Sequence, residues 1–144
     1  MYKSVLVATD GSETAGEAVR IATELAKTFE ATLHIVSVYQ SGTKGTLRVM
    51  EMSGAYPGSV DTLSIADTLL ESIAAHARTQ GIDTRTYAVT GAVADRIVGV
   101  AEEQHVDLIV VGNKGMRGAK RILGSVPNAV AHAASCAVLI HNTT

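Results

Sequence analysis

The densest chemistry in the chain lies in the stretch GNKGMRGAKRILGS, residues 112–125, where glycines alternate with the cations Lys114, Arg117, Lys120 and Arg121. Glycine admits positive φ and close approach of the backbone, so successive N–H groups can converge on an anion. Gly124-Ser125 opens a helical pattern, and the unpaired N–H groups of a helix start favour phosphate. Each feature also has a plain structural reading: Gly112 as a tight turn, Ser125 as a helix N-cap, the cations as a solvated face. Their coincidence directly after an apolar run favours phosphate binding. The stretch is neither GxxxxGK[ST] nor GxGxxG, which excludes the two commonest nucleotide-loop patterns.

A second candidate group follows the first apolar run, at Thr9 and Asp10. Asp10 suits a ribose hydroxyl or a metal-bound water. With Glu13 three residues on, it equally suits a helix N-terminus. His132 and Cys136 are four apart but bridge a helix-to-strand change, with no second pair to complete a zinc site. Cys136 reads as a small core residue. GxSxG is absent, and Ser125 has no partnered base in the pattern.

These residues need a frame, and the hydrophobic pattern supplies one. Short apolar runs predict strands at Ser4–Ala8, Leu33–Val38, Thr84–Val89, Leu108–Val111 and Ala137–Ile140. The third alternates polar and apolar as an edge strand does, and the fourth is continuously apolar, as a strand buried on both faces is. Helical stripes run through Ala15, Ala18, Val19, Ala22, Leu25, Ala26 and Phe29, through Ala66, Leu69, Leu70, Ile73, Ala74 and Ala77, through Val93, Ile97, Val100 and Ala101, and through Val126, Ala129, Val130 and Ala133. Gly81 marks the stop of the second. Strict alternation of five strands and four helices predicts an α/β fold, an open parallel sheet with helices on both faces. Ligands of such sheets sit beyond the carboxyl ends of the strands where strand order reverses. The loops after the first and fourth strands carry the two candidate groups, so they fit that place if those strands are neighbours.

The 144 residues predict one domain spanning 1–144. Apolar residues make up 47% and aromatics 3%, so the core is expected from Val, Ile, Leu and Ala. A net charge of −2 with so few aromatics argues against nucleic acid as a partner. No apolar run is long enough to span a bilayer, and the start resembles no signal peptide. With a single cysteine, Cys136, the chain is expected in the cytoplasm, without a disulfide or a membrane. Residues 40–61 are too long for a plain connector, and read either as a cover over the site, a partner contact or an unstructured excursion.

The start VLVATDGSETAGEAVRIA and the end DLIVVGNKGMRGAKRILGSVPNAVAHAASCAVLI together resemble the universal stress protein family, with a resemblance running from Tyr2 to His141. It implies a Rossmann-like sheet of order 3-2-1-4-5 and an adenine nucleotide as ligand. Nucleotide-binding members carry G-x2-G-x9-G-[ST]. Here Gly112 and Gly115 match, but eight residues rather than nine precede Gly124-Ser125.

Carried over by position, the resemblance has Gly112, Gly115, Gly124 and Ser125 hold the phosphates, with Lys114 and the N–H of Val126 nearby, and counts Val111 among the nucleotide-binding residues. It sets Ala8, Thr9 and Asp10 at the adenosine end and Val38 against the adenine ring. Gly91 would leave room near the base or ribose. ATP, with or without Mg2+, is the expected ligand of a regulatory protein of the stress response. The shorter loop keeps cyclic AMP or AMP open, since a monophosphate needs fewer donors. The family also implies a homodimer through the C-terminal strand, whose short apolar edge invites pairing. The rival readings are a slow ATPase or self-phosphorylating enzyme using the same loop, and an interaction protein without nucleotide. The enzyme reading lacks an evident group to position a nucleophile.

Overall fold

A computed structural model describes residues 1–39, 62–113 and 125–142. Five strands, β1 (Ser4–Ala8), β2 (Thr32–Tyr39), β3 (Thr84–Thr90), β4 (Leu108–Gly112) and β5 (Ala137–His141), form one parallel sheet of order β3-β2-β1-β4-β5. Among the described residues four helices alternate with them: α1 (Glu13–Phe29), α2 (Thr62–Thr79), α3 (Val93–Glu103) and α4 (Ser125–Ala133). Both edges lie where the patterns put them. The alternating Thr84–Thr90 forms one edge, and short β5 forms the other.

Period-two alternation sorts the core into two layers. Val5, Val7, Leu33, Ile35, Leu108 and Val110 face one side, where they meet Ala18, Ala22 and Ala26 of α1 and Leu70, Ala74 and Ala77 of α2. Leu6, Val36, Ile109 and Val111 face the other, against Ile97, Val98, Val100 and Ala101 of α3 and Val130 of α4. The small alanine faces of α1 and α2 let those helices lie close to the sheet. Each fully buried aliphatic side chain contributes about 1.5–3 kcal/mol of transfer free energy. At the margin Tyr2 and Phe29 pair edge-on, with ring centroids 5.4 Å apart.

Helix boundaries follow local chemistry. Ser12 adopts an extended backbone, and its Oγ accepts the Ala15 N–H at 3.2 Å, capping α1. The far end closes on Glu30, which turns left-handed at φ 54° and sends its N–H back to the last carbonyls. Gly81, at φ 80°, takes the chain out of α2.

Register puts Val5, Leu6 and Val7 of β1 beside Leu108, Ile109 and Val110 of β4. From this pair, the connections run outward in opposite directions, to β2 and β5. The order therefore reverses between β1 and β4, and in open α/β sheets the crevice that takes ligands lies beyond the carboxyl ends of the strands at that point.

Candidate functional site

The two loops that leave the reversal point begin at Thr9 and Asn113. Thr9 is buried, and its N–H donates to Val36 O at 2.9 Å, carrying the β1–β2 ladder one residue past the strand. Its Oγ1 accepts the Gly11 N–H at 3.0 Å, while Asp10 Oδ1 accepts the Ser12 N–H at 2.9 Å. Gly11 sits at φ 82°, the conformation that a residue without Cβ takes without strain. The helix cap is therefore Ser12, not Asp10. Asp10 shapes the loop ahead of it through its bond to the Ser12 N–H.

Beyond β4, Asn113 is a buried polar position that the residue patterns did not single out. It is 1% exposed, its N–H donates to His141 O at 3.0 Å, and its Nδ2 donates to Asn142 Oδ1 at 2.9 Å. The entrance of the glycine-rich stretch is thus tied to the end of β5. A buried amide held this way fixes the direction in which the chain leaves Gly112. Nothing in the residue type announces it, because an asparagine after a strand end equally suits an open turn.

The expected site residues divide in three. Ala8, Val38 and Val126 are partly buried, and each packs against the buried cluster on the α3–α4 face that includes Val111, as Val89, Val93 and Ala94 also do. That cluster gives the crevice an apolar wall. Thr9, Asp10, Gly112 and Ser125 stand at the ends of the elements around it, with Ser125 the exposed first residue of α4. Lys114, Gly115 and Gly124 lie outside the described residues, as do the other cations of the loop and residues 40–61.

Gly91, at φ 131°, opens no free space. A Cβ built there would come within 2.9 Å of Arg96 Cγ and 3.0 Å of Cδ. The room it leaves is occupied by the stem of an arginine.

A second polar group lies toward the amino end of the same face. His34, 3% exposed, meets Ser4 Oγ through Nε2 at 2.9 Å and Tyr87 OH through Nδ1 at 2.8 Å. Burial, and then the nearby Arg85, lower its pKa below the ordinary 6.5, against a smaller pull from Asp83. Tyr87 is pushed up, chiefly by burial. Both hydroxyls can donate or accept, so neutral His34 is satisfied in either tautomer.

Half-buried Cys136 has its thiol pKa raised by burial first and Asp107 second, which disfavours the nucleophilic thiolate. Among the described residues, no three His, Cys, Asp or Glu side chains gather to hold a metal, and no helix is long and apolar enough to cross a membrane.

The chain is similar to known proteins along nearly its whole length. The family description "Universal stress protein family" matches residues 1–141. A universal stress protein of Mycobacterium tuberculosis is 35% identical over 147 aligned residues, covering 99% of this chain and 98% of that protein. Universal stress protein A homolog 1 of Coxiella burnetii is 33% identical, covering 96% and 94%. A crystal structure of a universal stress protein in complex with cAMP superposes with a TM-score of 0.76 at 32% identity, covering 99% of each chain.

Proposed function

The chain belongs to the universal stress protein family, and from that premise we propose that it is an adenine-nucleotide-binding regulatory protein, with ATP as its principal ligand. One observation carries the reading. Ala8, Val38 and Val126, far apart in sequence, all pack against one apolar cluster on the α3–α4 face, making an apolar wall of the ends of β1 and β2 and the start of α4. Such a wall suits the face of a purine, and the flanking helix start suits its phosphates. The similar protein crystallised with cAMP supports an adenine nucleotide as the ligand.

In this reading, Gly112, Gly115, Gly124 and Ser125 hold the phosphates with Lys114, and Asp10 meets the ribose or the water shell of a bound Mg2+. Partners read the difference between occupied and empty loop conformations, which requires unequal nucleotide affinity for the two. The protein works in the cytoplasm as a homodimer paired through β5, as one domain.

Calorimetric titration with ATP, ADP, AMP and cyclic AMP, each with and without Mg2+, tests the proposal. Saturable binding with ATP tightest, and no steady phosphate release, is the expected result. Tighter cyclic AMP would reassign the ligand, and steady turnover would make the protein an enzyme. Absence of binding by all four would remove nucleotide recognition altogether.

A further inference from the structure

Three strands of the sheet are joined side chain to side chain through His34. Ser4 Oγ on β1 lies 2.9 Å from His34 Nε2 on β2, and His34 Nδ1 lies 2.8 Å from Tyr87 OH on β3. The His34 and Tyr87 rings also stack, with centroids 5.7 Å apart and planes inclined by 22°. Of the strands so joined, β1 is flanked by β2 and β4, whereas β3 is an edge paired to β2 alone. The linkage therefore matters most to β3.

The two halves of β3 are held differently. α2 reaches across to the amino half: Arg78 Nη2 donates to Thr84 O at 2.8 Å, and Thr86 Oγ1 donates to Glu71 Oε1 at 3.2 Å. Among the described residues, the bond between Tyr87 and His34 is the one side-chain hydrogen bond made by residues 87–90. Val89 stands in register with Val38, and both pack against the cluster on the α3–α4 face. The carboxyl half of β3 is thus a flank of the apolar wall.

Charge decides what a proton does here. The neutral ring is satisfied by its two hydroxyls, but an imidazolium in its place would be 3% exposed, with no carboxylate among the described residues paired to it. Arg85 opposes the proton and Asp83 favours it less strongly, and these two pair with each other at 3.7 Å. The residues that α3 and α4 pack against this face, Ile97, Val98, Val100, Ala101 and Val130, are apolar. A buried charge without a partner is costly, so the state that admits the proton is one in which the ring reaches water.

We propose that His34 is a proton-operated latch on the carboxyl half of β3: once protonated it leaves its place between Ser4 and Tyr87, and residues 87–90 come away from β2 while the rest of the sheet stays folded. The edge strand gives way because it has one neighbour to lose, and its amino half stays stapled to α2. Acid thereby loosens the β3 flank of the candidate site. An exposed ring has the ordinary pKa of 6.5, so each pH unit below that value makes the opening about ten-fold more favourable, until the enclosed ring itself accepts the proton.

Native-state hydrogen exchange tests the latch, read residue by residue by NMR from about pH 7.5 to 5 and corrected for the intrinsic exchange rate. Asp83 O accepts the Leu33 N–H, so by alternation Tyr87 and Val89 turn their N–H groups toward β2 and report its opening. Below pH 6.5 these two amides should lose protection by up to about ten-fold per unit, while those of Leu6 and Val7 in central β1 exchange far more slowly. His34→Gln should hold the protection of Tyr87 and Val89 level across the range. Tyr87→Phe, which keeps the ring and removes the bond, should speed exchange at position 87 and at Val89 several-fold already at neutral pH. The latch is overturned if Tyr87 and Val89 exchange no faster than β1, which would mean that β3 opens only with the whole molecule. An equal acid loss in His34→Gln, or unchanged exchange in Tyr87→Phe, overturns it too. No ligand enters the measurement, so its failure is separate from any failure to bind nucleotide.

Discussion

At the scale of single residues, His34 offers the clearest link between burial and solution behaviour. Its ring is enclosed with Ser4 and Tyr87, and burial together with Arg85 holds its folded pKa below the ordinary 6.5. Above that value, folded and unfolded chains both carry a neutral ring, so this residue adds no pH dependence. Below it, the unfolded chain binds a proton that the folded one resists. Stability therefore falls as the pH drops from about 6.5 toward the lowered folded pKa. Denaturant unfolding at a series of pH values should show this loss, and His34→Gln should flatten it while keeping hydrogen-bonding capacity toward both hydroxyls. An identical acid slope in the variant would show that another group titrates. The position of His34 is legible in the strand pattern: in LHIVSV it shares the face of Val36, which a doubly covered sheet buries. Its partners are not legible, because Ser4 and Tyr87 come from β1 and β3, and only the register brings them to it.

At the scale of elements, the turn TDGS shows how closely local chemistry sets the site. Three side-chain oxygens in succession, on Thr9, Asp10 and Ser12, accept backbone N–H groups between β1 and α1. Ser12→Ala removes the cap and should cost about 1 kcal/mol, a fall of roughly 3–4 °C in Tm. A loss well below that, read by thermal melting, would mean that water replaces the cap at no cost. The elements were legible because their apolar periods are unbroken, and for α1 and α2 because a cap at Ser12 and a glycine at Gly81 mark an end. Cap identity was less so: Asp10 and Ser12 are both good N-caps by type, and only the observed backbone chooses Ser12. Gly91 marks a deeper limit. A glycine after a strand signals that something comes close, but not whether it is a ligand or, as here, the stem of Arg96. Asn113 marks another, since its amide partner Asn142 lies 29 residues away across β5.

At the scale of the molecule, the two sheet edges differ in a way that bears on assembly. The β3 edge carries polar alternation, with Arg85 and Thr90 exposed along it. On β5, Ala137 is exposed and Val138, Leu139, Ile140 and His141 are each only partly covered. A short apolar edge without charged residues lacks the usual protection against pairing with another strand. Two copies related by a two-fold axis would extend the sheet across β5 and cover the same residues on both. The Asn113–Asn142 bond gives such an interface a route to the entrance of the glycine-rich stretch, because Asn142 directly follows β5 and Asn113 directly follows β4. The proposed homodimer should therefore sediment at twice the chain mass at micromolar concentration. Ala137→Lys, placed on the exposed start of the strand, should shift it toward monomer with little change in Tm, as a charge introduced on an unpaired edge does. Wild-type protein that sediments as a monomer throughout the micromolar range would leave β5 a free edge, and any response to nucleotide would then have to be read from one copy alone.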